Sequence, residues 1–116
     1  MLLICFSTFI GCGGESDADY EHVYTIRGRV LQLPDGTLGS DFRVFHEPIP
    51  DYVAISGAIG MEAMPMPFTV NDPTVLEGVQ VGDVVEIVYG ETHRPKVRQG
   101  VIAITILPRD TSLSFD

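Results

Sequence analysis

The sequence predicts a small all-β domain: a five-stranded antiparallel barrel of OB-like shape with one short helical turn. Three observations lead there. Apolar and polar residues alternate with period two in several short runs. Pro- and Gly-containing clusters separate those runs. No stretch carries the long 3.6-residue periodicity of an amphipathic helix, which an α/β fold would need. The chain of 116 residues suffices for one core and not for two. With 45% hydrophobic and 20% charged residues, it can bury that core rather than stay disordered.

The first strand places Tyr24, Ile26 and Val30 on one face and Thr25, Arg27 and Arg29 on the other. Gly28 falls on the apolar face, where a strongly bent strand uses it. Pro34-Asp35-Gly36 is turn chemistry. The second strand is Phe42 to His46, with Phe42, Val44 and His46 on one face. Glu47-Pro48-Ile49-Pro50-Asp51 ends it, because proline lacks the N–H a ladder needs. A small apolar stretch from Val53 to Gly60 reads as a loop.

The third strand sends Met64, Met66, Phe68 and Val70 one way and Pro65 and Pro67 the other, which suits a sheet edge or barrel mouth. Asp72-Pro73 caps and starts the helical turn, and Gly78 stops it. Val81-Gly82-Asp83 turns into the fourth strand, Val84 to Tyr89. The polar segment from Gly90 to Gln99 reads as a hairpin loop. The last strand is Val101 to Leu107, with Ile102, Ile104 and Ile106 on one face, and Pro108 ends it. The barrel thus covers residues 22–109, and residues 110–116 form a tail. His22 and His93 are expected to be solvated, one beside the tether and one in the hairpin loop.

Every charged side chain lies from Glu15 onward. The preceding segment is apolar and then small, like the core of an export signal and its processing site. Phe9-Ile10-Gly11-Cys12 resembles a bacterial lipobox. That resemblance implies a signal over residues 1–11, lipidation at Cys12 and a polar tether over 12–21. It also implies a place in the bacterial cell envelope, facing the periplasm, with membrane contact only through the lipid. Cys5 would leave with the signal, so the mature domain would hold no free thiol and no disulfide.

The net charge of −9 argues against nucleic-acid binding, which needs clustered Lys and Arg. No catalytic constellation is visible, since lone Ser56 has no His–Asp partners, and an enzyme is not expected. The distinctive feature is sulfur. Three of the four methionines, Met61, Met64 and Met66, fall within six residues, beside Pro65 and Pro67. Met64 and Met66 share a strand face about 7 Å apart. His46, at the end of the preceding strand, belongs to the same inward face. Two thioethers and an imidazole make a soft, neutral set that suits Cu(I) or Ag(I) and ligates Mg²⁺ or Ca²⁺ poorly. Zinc more usually takes Cys, several His or a carboxylate. The expected chemistry is capture and transfer of an ion by a monomer. Glu47 and Glu62 flank the set, where they either orient His46 or stand in solvent.

His46-Glu47-Pro48-Ile49-Pro50, then Met61-Glu62-Ala63-Met64-Pro65-Met66-Pro67-Phe68, then Gly82-Asp83-Val84-Val85 together resemble the periplasmic Cu(I)/Ag(I)-binding domains of the CusF type. The resemblance spans about residues 22 to 107. It implies a five-stranded barrel that passes the ion to a copper efflux or oxidase-assembly protein. It implies His46, Met64 and Met66 as the three ligands. In the best-studied form of that family a Trp covers the ion, three residues before the first ligand Met. Met61 stands there in this chain, as an auxiliary thioether or a lid. The stretch between His46 and Met64 is also longer than the family's, by about the length of Val53 to Gly60. A different class of function stands beside this one: a metal-free OB-like lipoprotein module that binds an envelope protein or glycan through the apolar Val53–Gly60 segment.

Overall fold

The longest strand follows the clearest alternation. In the computed structural model, which describes residues 16–36 and 41–115, β1 runs over His22–Gln32. Tyr24, Ile26, Gly28 and Val30 are buried on its inner face, while Thr25 and Arg29 are exposed. The other strands are β2 (Phe42–His46), β3 (Ile49–Val53), β4 (Ile59–Met61), β5 (Met64–Phe68), β6 (Val84–Thr92) and β7 (Arg98–Leu107). The lipobox, Cys5 and Cys12 lie outside the described residues.

Five strands form one antiparallel sheet in the order β5-β2-β1-β6-β7. The sheet wraps a core that includes Tyr24, Ile26, Val44, Phe68, Ile87 and Val101. The barrel expected from the sequence is left open: β5 and β7, the outer strands, share no ladder. They approach only at one end, where the Val101 N–H donates to Thr69 O at 2.9 Å and Asn71 Nδ2 donates to Gln99 O at 2.8 Å. Two of β5's five residues are prolines, so its outer edge has few N–H groups to extend the pairing. The expected helical turn is a 3-10 turn over Pro73–Leu76, with Asp72 accepting the Thr74 N–H at its start. Among the described residues, no helix is long and apolar enough to cross a membrane.

The stretch read as a loop after Val53 is instead part of a two-stranded ribbon. Ile49 pairs with Met61 and Val53 with Ile59. The Ala54 N–H donates to Ala58 O at 3.0 Å, and Gly57 turns the chain at φ +93°. Pro50 hides this strand from a sequence reading because proline usually breaks ladders, yet an edge position tolerates it. The ribbon lies over the inner face. Ile49 is buried in the core, and the Val53 N–H donates to Tyr24 Oη at 3.0 Å.

Two glycines fix how closely elements approach. A Cβ on Gly28 would meet Phe45 O and Val44 Cγ1 at 2.5 Å, so β1 and β2 can cross there only over a glycine. A Cβ on Gly90 would meet the Tyr20 ring at 2.3 Å. Tyr20 packs across that position, and Gly90 continues β6 rather than opening a loop.

The last strand also departs from simple alternation. Its register against β6 shifts between Val88 and Tyr89, so Ile102 is an extra residue in the bulge. The bulge parts Ile102 from Ile104 and Ile106, which the sequence put on one face: Val101, fully buried, joins the core with Ile104 packed against it, and Ile102 is buried outside that cluster.

Candidate functional site

The inner face of β1 carries two polar sites, one at each end. Gly28 pairs with His46 of β2, and His22 pairs with Glu91 of β6. Six residues of extended chain separate these rungs, about 20 Å along the strand.

At the first end, His46 is fully buried, as its inward assignment requires. Its Nδ1 lies 2.7 Å from Glu47 O. A carbonyl only accepts, so Nδ1 carries the hydrogen and the neutral ring keeps its lone pair on Nε2. Nε2 is buried and has no hydrogen-bond partner. The ring stands edge-on to Phe68, at 6.0 Å between centroids.

The sulfur residues approach from the neighbouring edge strand. Met64 is directly opposite His46 in the β2–β5 ladder, and Met66 is opposite Val44. Opposed residues project from the same side of a sheet, with Cβ atoms about 5 Å apart. Met64 and Met66 therefore share His46's face. Met64 is 39% exposed, while Met66 packs against the core. Met61 is on the β3–β4 ribbon opposite Ile49, outside this ladder, and it too packs against the core. Met61 also lines a groove of about 570 Å³ with Pro48, Pro50, Ile59 and Phe115.

Of the two flanking carboxylates, Glu47 holds structure together. It takes Arg27 Nε and Nη2 at 3.0 Å each, and the Ser114 N–H at 2.8 Å. Burial pushes its carboxyl up, but the bonds from Arg27 and Ser114 outweigh that and hold it below the ordinary carboxylate range. The C-terminal segment is thereby pinned beside the site, with Phe115 edge-on to Phe45 at 4.7 Å. Glu62 is exposed.

At the second end, Glu91 is 2% exposed. Tyr52 Oη donates to it at 2.9 Å, His93 Nε2 at 3.0 Å and Gln99 Nε2 at 3.4 Å. Tyr52 titrates far above its ordinary value, first because it is buried and then because it donates to this carboxylate. His22 and His93 are half-buried and 5.2 Å apart between ring centroids, so neither is the solvated histidine the sequence suggested. The signal for Glu91 was present in the alternation Val85, Ile87, Tyr89, Glu91. It was masked by Gly90, which reads as a strand end but lies under Tyr20.

No protein-family model matches the chain, and neither curated proteins nor solved structures give a significant match.

Proposed function

We propose that the protein captures Cu(I) or Ag(I) through His46 Nε2 and the thioethers of Met64 and Met66, and buffers the ion or hands it to a copper efflux or oxidase-assembly protein. Met61 is the auxiliary sulfur. Lipidation at Cys12 would hold the domain at the periplasmic side of the cell envelope. The protein acts as a carrier, not as an enzyme.

The observation that carries this reading is the unpartnered Nε2 of a fully buried His46, on the rung opposite Met64. A buried nitrogen without a partner costs about 1–3 kcal/mol, which a bound ion would recover. The Nδ1 bond to the Glu47 carbonyl fixes the tautomer in the way metal-bound histidines are commonly fixed. The remaining donors are uncharged and soft, as a monovalent soft ion prefers. The resemblance to CusF-type domains rests on these motif residues alone.

Titration of the purified protein with Cu(I) against a chromophoric chelator tests the site. One equivalent is expected to bind, and Met64→Ala with Met66→Ala should weaken it strongly, because only His46 of the three soft donors remains. Undiminished binding in that double variant would overturn the assignment.

The groove favours a second reading, the metal-free module. Ile59, 67% exposed, lines it, and Ile55 at the tip of the same ribbon is 68% exposed. An apolar surface of this kind suits a protein or glycan partner. Binding of no Cu(I) at all would leave this reading standing.

A further inference from the structure

We infer that the far end of the same sheet face holds a second metal site, of different chemistry, built from His22, His93 and Glu21 for a borderline divalent ion of the zinc class. Each of the three offers a donor atom within 4.8 Å of the other two. Glu21 Oε1 is 3.5 Å from His22 Nε2 and accepts the His93 backbone N–H at 3.2 Å. Two imidazoles and one carboxylate form the donor set typical of zinc sites that keep a fourth position for water. Imidazole nitrogen selects such ions over Mg²⁺ and Ca²⁺, and the absence of sulfur removes any preference for Cu(I).

Glu91 supplies the second, independent observation. Its carboxylate accepts from His93 Nε2, so that nitrogen carries the hydrogen. The lone pair of the neutral ring then falls on Nδ1, the nitrogen nearer the main chain, where Glu21 is bonded. A carboxylate that bonds the outer nitrogen of a histidine and leaves the inner one free is the arrangement that orients and strengthens a zinc ligand. Glu91 is a positioning residue here, and Tyr52 and Gln99 hold it in turn.

Charge points the same way. Among the described residues, the ion-pair partners of Glu21 and Glu91 are histidines, with no Lys or Arg on either carboxylate. Glu21 is exposed and Glu91 buried, and both carboxylates place negative charge beside the two imidazoles. A divalent cation on His22, His93 and Glu21 is attracted by both. The donors lie at the adjoining ends of two strands that are already paired, His22 opening β1, Glu21 just before it and His93 just after β6, through the His22–Glu91 rung and the Glu21 N–H bond to Thr92 Oγ1 at 2.9 Å. Binding therefore requires little rearrangement.

Titration of the full, untagged chain with Zn(II), with side-chain imidazole resonances followed by NMR, tests this. One Zn(II) is expected, with shifts at His22 and His93 and none at His46. His22→Asn with His93→Asn should weaken Zn(II) binding at least tenfold, and Met64→Leu with Met66→Leu should leave it unchanged. If the histidine double variant fails to fold, Glu21→Gln, on an exposed side chain, provides the same comparison and should also weaken Zn(II). Shifts confined to His46, no Zn(II) binding, or unchanged affinity in the histidine and Glu21 variants would overturn the site. None of these outcomes depends on whether Cu(I) binds at the other end.

Discussion

The two ends of β1 bury polar groups in opposite ways. At the Gly28 rung, the buried group is a neutral imidazole whose Nε2 has no partner. At the His22 rung, it is the carboxylate of Glu91, bonded by Tyr52, His93 and Gln99. The difference follows from charge. An orphaned neutral nitrogen costs about 1–3 kcal/mol, which a folded domain can carry. An orphaned carboxylate would cost far more and would protonate or unfold its surroundings instead. The His46 end can therefore leave its nitrogen unbonded, whereas the Glu91 end must be satisfied at all times. The β3–β4 ribbon reaches the second end through Tyr52 on Glu91, and its Ile49 joins the core.

Gly28→Ala should break the first end while leaving the second. The new Cβ meets backbone at Phe45 O, which cannot swing aside as a side chain would. We expect a loss of about 3 kcal/mol in urea unfolding, at the upper end for overpacking. Cu(I) affinity should fall as β2 shifts. Unchanged stability would show that β1 and β2 do not approach this closely.

Glu91→Ala should do the reverse, at a cost of about 2 kcal/mol from donors left without an acceptor. Cu(I) affinity should hold. Alkaline stability gives a second readout. Tyr52 titrates above its ordinary value near 10, so its contribution is complete below pH 10 and is lost as pH rises beyond it. Without Glu91 one cause of the shift is gone, and a spectrophotometric titration should find a phenol moved back toward 10. Burial remains, so the return should be partial.

His46→Leu sharpens the contrast most directly. The substitution removes an unsatisfied nitrogen and keeps apolar volume against Phe68. Ion-free stability should rise by up to about 1 kcal/mol, although Glu47 O loses its donor, while Cu(I) binding is lost. A residue that weakens the empty fold and is needed only with ligand is a functional residue by that test. A clear loss of ion-free stability would make His46 an ordinary core histidine.

The sequence showed the first end better than the second, for local reasons. Phe42, Val44 and His46 alternate cleanly between a glycine-containing turn and a proline pair, so both the strand and its inward histidine were legible. The methionine cluster was legible because thioethers are rare and here adjacent. The ribbon was not, because Pro50 and Gly60 look like breakers and yet lie inside its two strands. Nor was the Glu91 end, because Gly90 answers to Tyr20, a contact seventy positions distant that no local pattern carries. The bulge at Ile102 is of the same kind: one inserted residue reverses which face a strand buries, and the composition of Val101 to Ile106 is apolar on either reading.

The smallest expected effect concerns the strap beside the His46 end. Glu47 is held below its ordinary value near 4.5, so its bonds stabilise the fold above that pH and are lost as pH falls through the lowered value. Arg27 is 39% exposed, and solvent screens the pair, so the effect on global stability should stay within about 1 kcal/mol. Locally it should be visible. As the carboxylate protonates it stops holding Arg27 and the Ser114 N–H, and Phe115 should leave Phe45. Amide exchange at Ser114 should accelerate in acid, and Glu47→Gln should show the fast rate already at neutral pH. The His46 Nδ1 bond should survive in both cases, because it is made to the Glu47 main-chain carbonyl and not to the titrating group. The strap and the histidine's orientation are thus separable, and acid should open the groove lined by Phe115 without turning the imidazole away from Met64.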